Sequence, residues 1–557
     1  MLLENKVIHL CCGLGAAAYG MQKSKGEYKG SVGKFRTLVG IDVDPLAVQD
    51  FRRLTGAPAV QMDLFSRRDY IDFHGHVPPE GWREVVPEDI FEAAGREYPN
   101  TGFISAPCQG LSALLSIQAA LSKKYQALNN LSIRCVQLAL EAFEFDPIDI
   151  FLFENVPGIR TRGKKLLEEI RRLFKYHGYL TADKKDEIYN CGELGGLGQN
   201  RNRYLFMTRH PKKVPAFVYK PPKLPLKTIG DVIGSLPSPN DPAGGPMHQL
   251  PKLQWKTWVR LALIKAGGDW RDLRDIKPEQ YRIMHVPRNS SFGVMDWNKP
   301  SSTITGNVRT GGSTSAAISD PCMSLSRENT HKAIYKVSRY EEPANTVTGA
   351  HGPNNGAIVI PDPMLKSCKG KHPSVYKICR IDETSPCVTG TKFGSGALAI
   401  SDPSLGCKPR NGTLGVQAWN EPAKTVIASN DIHAGTSAVA DPHIPADAES
   451  GVYVIIAEDG SWHRPLTTLE LAALQTIPLF MPDGSPLVLA GKSDARWRKA
   501  IGNAVPPDAA EAMGNQVLVA WMAGKLGWEW QLSNQEIWVK PKIKDEWIDE
   551  SIGGALQ

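Results

Sequence analysis

The chain has 557 residues, a net charge of +7, and 42% hydrophobic against 22% charged residues. That is the composition of a soluble globular protein with room for about two to four domains. No run approaches the roughly 18–20 apolar residues that span a bilayer. Ten cysteines in so long a chain are not the disulfide framework of a short secreted domain. The modest positive charge is compatible with a polyanionic partner without requiring one. The opening residues MLLENKVIHLCCG lack the basic flank, long apolar core and cleavage site of a signal peptide. The expected location is therefore the cytoplasm, or the nucleus in a eukaryote.

Apolar runs of strand length occur at 6–10 (KVIHL), 37–43 (TLVGIDV), 101–106 (TGFISA), 148–153 (IDIFLF) and 203–208 (RYLFMT). Helical periodicity lies between several of them, most clearly at 132–145 (SIRCVQLALEAFEF). Alternating strands and helices predict an α/β fold with an open, mostly parallel sheet covered on both faces. Ligands of such sheets sit at the carboxyl ends of the strands. Gly13 and Gly15 follow the first strand, Asp42 ends the second, and Cys108 and Glu154 come just past two later ones.

From about residue 211 Pro, Gly, Ser and Thr become dense and helical periodicity fades. DWNKPSSTITG (296–306), RYEEPANTVTG (339–349), RIDETSPCVTG (380–390) and AWNEPAKTVIAS (418–429) share one pattern. Each leads through a Gly/Asn-rich turn into an apolar strand closing on Asp-Pro. The period is about forty residues, the mark of a repeated supersecondary unit, and each unit reads as one hairpin with a long connection. A four-bladed propeller is the alternative, but its Gly-His and Trp-Asp signatures do not recur. Cys368, His372 and Cys379 lie close together, yet no second CxxC pair completes a tetrahedral zinc site. Reduced thiols and no metal are expected.

Near residue 462 the first texture returns. HRPLTTLELAALQTIP holds a capping signal at Thr468 before an amphipathic run, and IGNAVPPDAAEAMGNQVLVAWMAGKL reads as a turn followed by a Pro-started helix. The expected organisation is a domain of 1–210 that resumes at 462–525, an insertion at 211–461, and a C-terminal extension at 526–557.

Gly13 and Gly15 form a G-x-G turn where backbone approaches a ligand closely, which alone would equally suit a dinucleotide. Asp42 suits ribose hydroxyls and Asp63, in QMDLF, suits an adenine amine. Gln199, Arg201 and Arg203 alternate, so an extended segment would put them on one face, and arginine forks suit a carbonyl and phosphates. Cys108 sits between Pro107, which stops a strand, and Gln109; Glu154 stands beside Asn155.

Read in order, VIHLCCGLG (7–15), SAPCQG (105–110), FENVPG (153–158), GQNRNR (198–203) and IGNAVPP (501–507) resemble the motifs of the DNA (cytosine-5) methyltransferase family. The resemblance covers about 1–210 and 462–525. It implies a Rossmann-like S-adenosylmethionine-dependent sheet with a β-rich target recognition domain at 211–461. It makes Cys108 the nucleophile toward cytosine carbon 6, Glu154 the acid near N3, Arg203 the contact to the base and Arg201 a support of that loop. Pro107, Gln109, Asn155 and Gln199 would line the substrate side, and Arg309 and Lys392 in the repeat turns would approach DNA, as would His351 and His433. Leu10, Cys11, Gly13, Gly15, Asp42, Val43, Asp63, Leu64, Asn503 and Ala504 would surround S-adenosylmethionine and its product S-adenosylhomocysteine. The implied partner is double-stranded DNA with the target base rotated out of the stack. No membrane or obligate protein partner is implied, which is compatible with a monomer.

The chain departs from the family where His9-Leu10-Cys11 stands in place of Asp-Leu-Phe, so the ring that would face adenine is missing. The gap from Asp63 to Cys108 points to an insertion around 66–98. Two other expectations stay open: the same chemistry on tRNA, or a non-catalytic DNA-binding relative.

Overall fold

The computed structural model describes residues 1–107, 122–181, 188–214, 221–274, 276, 413–426, 436–443, 454–481 and 484–527, with the backbone alone of short strands at 281–285, 294–295, 317–318 and 375–380. Nine strands form the main sheet: β1 Leu2–Leu10, β2 Gly26–Tyr28, β3 Ser31–Asp42, β4 Ala59–Gln61, β5 Thr101–Ile104, β6 Ile150–Asn155, β7 Leu180–Thr181, β8 Ile188–Asn190 and β9 Asn202–Arg209. Between them run α1 Ala16–Lys23, α2 Pro45–Thr55, α3 Arg67–His74, α4 Pro87–Ala93, α5 Lys123–Ala142, α6 Lys164–Tyr176 and α7 Cys191–Gly195. Strands β4, β3, β1, β5 and β6 lie side by side and parallel; β9 follows antiparallel to β6, with β7 and β8 antiparallel on its far side. This is the expected α/β fold with a parallel-rich sheet.

Both faces are buried, which explains why the strands read as continuous apolar runs. Successive residues point to opposite sides. Ile8, Ile104 and Phe151 enter one core with α5 and α6. Val7, Phe103 and Leu152 enter another, beneath the last of the described helices. That helix belongs to a second group: α8 Ile229–Ile233, α9 Trp255–Leu263, α10 Thr468–Leu474, α11 Asp494–Asn503 and α12 Pro507–Leu526. Pro507 starts α12, as a proline at the first helical turn should. The helix lies so close to α1 that a Cβ on Gly20 would fall 2.0 Å from the Pro507 carbonyl oxygen. The N-terminal and C-terminal parts of the chain thus share one core.

Three sequence expectations are corrected. The second strand begins at Ser31 rather than residue 37, because β2 and β3 form an antiparallel hairpin through the turn at Lys29-Gly30. The helix expected at 132–145 spans Lys123–Ala142 instead, its first two turns carrying two asparagines that weaken the helical pattern. The cap of α10 is Thr467, not Thr468: its hydroxyl accepts from Glu470 N while Glu470 reaches back to Thr467 N.

A second sheet of six strands takes the order 281–285, 375–380, 454–456, 462–465, 438–441, 416–417. Trp258 of α9 stacks on Trp462 of this sheet, 6.0 Å apart at 13°. The repeat units lie largely outside the described residues, as do His351, His433, Cys368 and His372; Cys379 is described in backbone only. The turn of the fourth unit, 427–435, also lies outside the described residues. Ala423 pairs with Gln199, its backbone exchanging hydrogen bonds with Gly198 and Asn200, while Ala438–Asp441 pairs antiparallel with Trp462–Pro465. Among the described residues no three metal-ligating side chains converge, and no helix is long and apolar enough to cross a membrane.

Arg464 binds the second sheet to α10. Its Nε donates to Asp441 and its two terminal nitrogens donate to Glu470, all three residues being buried. Burial resists ionisation of Glu470, but Arg464 outweighs it and holds the carboxyl below its ordinary range. Arg464→Ala should therefore cost about 3–5 kcal/mol at neutral pH, by leaving two buried carboxylates uncompensated. A carboxyl held low in the folded state stabilises above its unfolded pKa and loses that contribution as pH falls. Urea unfolding at neutral pH and below about pH 4 should show the difference between wild type and variant shrinking in acid.

Candidate functional site

The carboxyl edge of the main sheet carries two adjoining groups of residues. On one side the turn after β1 is left-handed at Cys11 (φ 54°), Gly13 (φ 55°) and Gly15 (φ 91°). A Cβ on Gly15 would meet Phe51 and Thr55 at 3.0–3.1 Å, so only glycine lets the turn pack on α2. Gly13 has the opposite surroundings: nothing lies within 4 Å of where a Cβ would be. Its backbone faces open space, as close approach to a ligand requires. Asp42 holds the turn. One of its oxygens accepts from Gly13 N at 2.9 Å and the other from Asp44 N at 3.0 Å. Burial pushes its carboxyl pKa up, and these backbone donors pull against that.

Next to Asp42, the backbone N–H of Met62 donates to the Asp42 carbonyl and leads to Asp63. Asp63 Oδ1 accepts from Phe65 N at 3.0 Å and Oδ2 from the indole N–H of Trp82 at 3.1 Å. Leu10 and Leu64 are buried beneath, and Val43 is 55% exposed at the rim. Two carboxylates and an open glycine backbone on adjacent strand ends fit a nucleoside carrying vicinal hydroxyls and an amino group, which is the chemistry S-adenosylmethionine presents. Cys11 lies opposite Cys135 of α5, the sulfurs 3.7 Å apart. Its carbonyl accepts from Ser105 Oγ at 3.0 Å, which joins this side to the strand leading toward Pro107.

On the other side, Glu154 lies within β6 rather than past it, paired in register with Leu205 of β9. Arg203 Nε stands 2.9 Å from Glu154 Oε1, and both side chains are close to 10% exposed. Burial raises the Glu154 pKa, while Arg203 and, from further off, Arg201 oppose the rise. Asn155 is buried and turns its Oδ1 to Val156 N at 2.8 Å, shaping the exit from the strand. Pro107 is half-buried; Cys108 and Gln109 lie outside the described residues, as do Arg309 and Lys392.

Gln199 and Arg201 precede the strand that carries Arg203, and both are buried more deeply than it is. Strand β9 starts only at Asn202, so the period-two rule does not extend back to them. Gln199 is fully buried; its amide donates to the Leu474 carbonyl and Gln475 and accepts from Val426 N. That use of both amide atoms reassigns it from substrate contact to support. Arg201 is also fully buried. It donates to the carbonyls of Val426, Gly502 and Ala504 at 2.8–3.1 Å, so the structure gives it a holding role and not a catalytic one. Burial disfavours its charged form and pushes its pKa down. Asn503 is exposed and Ala504 half-buried on the turn it secures.

Sequence reasoning missed Trp82, Ser105 and Gln475. Trp82 was visible only as an aromatic in the 66–98 segment, Ser105 opens the SAPCQG motif but was given no role, and Gln475 carried no motif.

A parallel-rich sheet with a glycine turn at its first strand and a buried acid–arginine pair at a later one defines a methyltransferase fold. The C-5 cytosine-specific DNA methylase family model matches residues 80–355, so this stretch carries that family's domain. Similar solved structures include a putative DNA modification methyltransferase encoded within an E. coli prophage (14% identity, 93% of this chain and 99% of that one, TM-score 0.42). Others are the S. pombe Dnmt2 methyltransferase (11%, 94% and 100%, 0.35) and the Entamoeba histolytica methyltransferase EhMeth (11%, 94% and 99%, 0.36). No curated protein matches the chain.

Removing Arg203 tests the pair. In Arg203→Ala the Glu154 carboxyl should rise further, because burial is no longer opposed. A carboxyl raised in the folded state contributes full stability below its unfolded pKa and loses it as pH climbs through the folded value. The variant should be destabilised by about 3–5 kcal/mol at pH 8 and distinctly less near pH 5. Thermal unfolding at both pH values reads this; an equal loss at both would show that the two groups are not coupled.

Proposed function

We propose that the protein is an S-adenosylmethionine-dependent DNA cytosine-5 methyltransferase acting on a base rotated out of duplex DNA. The observation that carries the proposal is the buried Glu154–Arg203 pair, standing on the strand next to the one that leads to Pro107 and Cys108. Cytosine carbon 5 is too electron-poor to attack a methyl donor unaided. The Cys108 thiolate adds to carbon 6 and makes carbon 5 enamine-like. Negative charge then moves toward N3, where Glu154 supplies a proton; its raised pKa keeps that proton available nearer neutral pH. Arg203 steadies the carboxyl and offers its remaining N–H groups to the carbonyl oxygen on carbon 2 of the base. S-adenosylmethionine, when bound beside Gly13, Asp42 and Asp63, supplies the methyl group. Loss of the carbon 5 proton to a base then expels the sulfur as thiolate, and return of the N3 proton to Glu154 restores the ring and the acid.

In this proposal 1–210 and 462–525 form the catalytic domain, 211–461 reads the target, and the protein works where DNA is, in the cytoplasm or a nucleus. The exposed cations Arg160, Arg162, Lys164 and Lys165 follow directly on FENVPGI, so phosphates of the target strand would meet positive charge beside the acid.

Duplex DNA carrying 5-fluorocytosine, incubated with the protein and S-adenosylmethionine, should give an adduct stable to denaturing electrophoresis. Fluorine cannot leave carbon 5 as a proton does, so the sulfur stays attached. Cys108→Ser should abolish the adduct and Glu154→Gln should slow it by about two orders of magnitude. An adduct on RNA and none on DNA would overturn the substrate, and none on either would overturn the chemistry.

A second expectation concerns the cations. Replacing Arg160 and Lys165 by Ala should lower the slope of log Kd against log salt by about 0.9 for each phosphate that is no longer neutralised. The same holds for Arg309 and Lys392. An unchanged slope would remove those residues from the DNA surface.

A further inference from the structure

The segment 66–98 separates Asp63 from the strand leading to Cys108, and it sends one side chain back to the cofactor edge. Trp82 donates its indole N–H to Asp63 Oδ2 at 3.1 Å, while Phe65 N donates to Oδ1 at 3.0 Å. Two donors from different directions fix the plane of the carboxylate and leave each oxygen further capacity to accept.

Trp82 is itself well placed. Its ring lies 5.0 Å from that of Tyr70 on α3, and its backbone N–H closes a turn on the Pro79 carbonyl. Two residues on, Glu84 accepts from Arg67 N at 2.7 Å, and Arg134 of α5 donates to the Val85 carbonyl at 2.8 Å. The segment is strapped to α3 and α5 on both sides of the indole, and Asp63 cannot turn without losing that bond.

The rim around Asp63 gives this weight. Neither Cys11 nor Val43 offers a ring to stack on a nucleobase. Selection of the base then falls mainly on polar contact, and its main acceptor is the carboxylate that Trp82 orients. We infer that Trp82 is a positioning residue of the cofactor subsite, holding Asp63 so that it accepts from an exocyclic amine and thereby selects adenine over a 6-oxo purine. This rests on the cofactor reading given under Proposed function.

Titration calorimetry on the full chain, with S-adenosylhomocysteine and with its 6-oxo (inosine) analogue, tests the inference. Wild type should prefer the amino form. Trp82→Phe keeps a ring but loses the donor. It should weaken S-adenosylhomocysteine by about tenfold, leave the 6-oxo analogue nearly unchanged, and keep its Tm. Trp82→His restores a ring N–H and should recover part of the preference. Asp63→Asn should abolish it, giving the reference value for full loss.

An unchanged preference in Trp82→Phe, with Asp63→Asn collapsing it, would overturn the inference alone. So would equal weakening of both ligands with a lowered Tm, which is what a merely structural tryptophan would give. If wild type binds neither ligand, the cofactor reading itself fails and takes this one with it.

Discussion

A buried guanidinium whose hydrogen bonds go to backbone carbonyls holds the reacting edge together. Arg201 lies entirely inside the protein and donates to three carbonyls drawn from the fourth repeat and the turn after α11. A lone buried cation is costly unless something else supplies negative potential. Here the end of a helix does. Gly502 and Ala504 stand at the C-terminus of α11, where backbone carbonyls lack intrahelical partners and the helix dipole is negative. The arginine therefore satisfies the helix end that neutralises it. Replacing it would leave those carbonyls dry and unbonded as well as opening a hole. Gln199, two residues earlier, repeats the device on the C-terminal end of α10 through the Leu474 carbonyl and Gln475. Gln475 in turn donates to the Ile501 carbonyl.

One consequence reaches the chemistry. Arg201 and Gln199 fix where β9 begins, and β9 delivers Arg203 to Glu154 across a single antiparallel register. The turn carrying Asn503 and Ala504 is fixed by the same guanidinium. The acid–arginine pair and the C-terminal turn expected to close the cofactor pocket are thus set by one residue, although 300 positions separate Arg203 from Asn503 in the chain. The captured segment at Ala423–Val426 is tied to that point as well. Motion of this segment relative to the sheet would have to break hydrogen bonds to the residues that precede Arg203.

What the sequence made legible was whatever local pattern encodes. The five apolar runs are strands because a sheet covered on both faces needs little else, and the glycine turn and Asp42 stand where strand ends put them. The contact between Glu154 and Arg203 was not legible, since their motifs assigned each of them to the substrate and not to one another. The sequence could not show what depends on distant partners. Arg201 and Arg203 look alike in GQNRNR, and only the start of β9 between them sends one inward and the other to the acid. The fourth repeat reads as a hairpin because its lead and closing segments are each strand-like; no local signal says that Gly198 and Asn200 capture Ala423. Trp82 is one of thirteen tryptophans, and its value lies in an atom 19 residues away in sequence.

The departure at the first strand bears on whether the chain has lost its chemistry. A histidine where the family has an aspartate, and a cysteine where it has a phenylalanine, could signal a site abandoned by selection. The surroundings of His9 argue otherwise. It is buried to 1% between Phe51 and Phe103, with ring centroids at 6.1 and 5.6 Å. Burial pushes its pKa down to about 3, so it stays neutral at physiological pH. It packs as an aromatic core residue, and the backbone of the strand it sits on still pairs in register with β3 and β5. Cys11 is fitted against Cys135 from α5 in the same way. Rings pack on His9 and a thiol faces Cys11, although the buried His9 Nε2 has no hydrogen-bond partner among the described residues, and the glycine turn with Asp42 and Asp63 still lines the rim beside them.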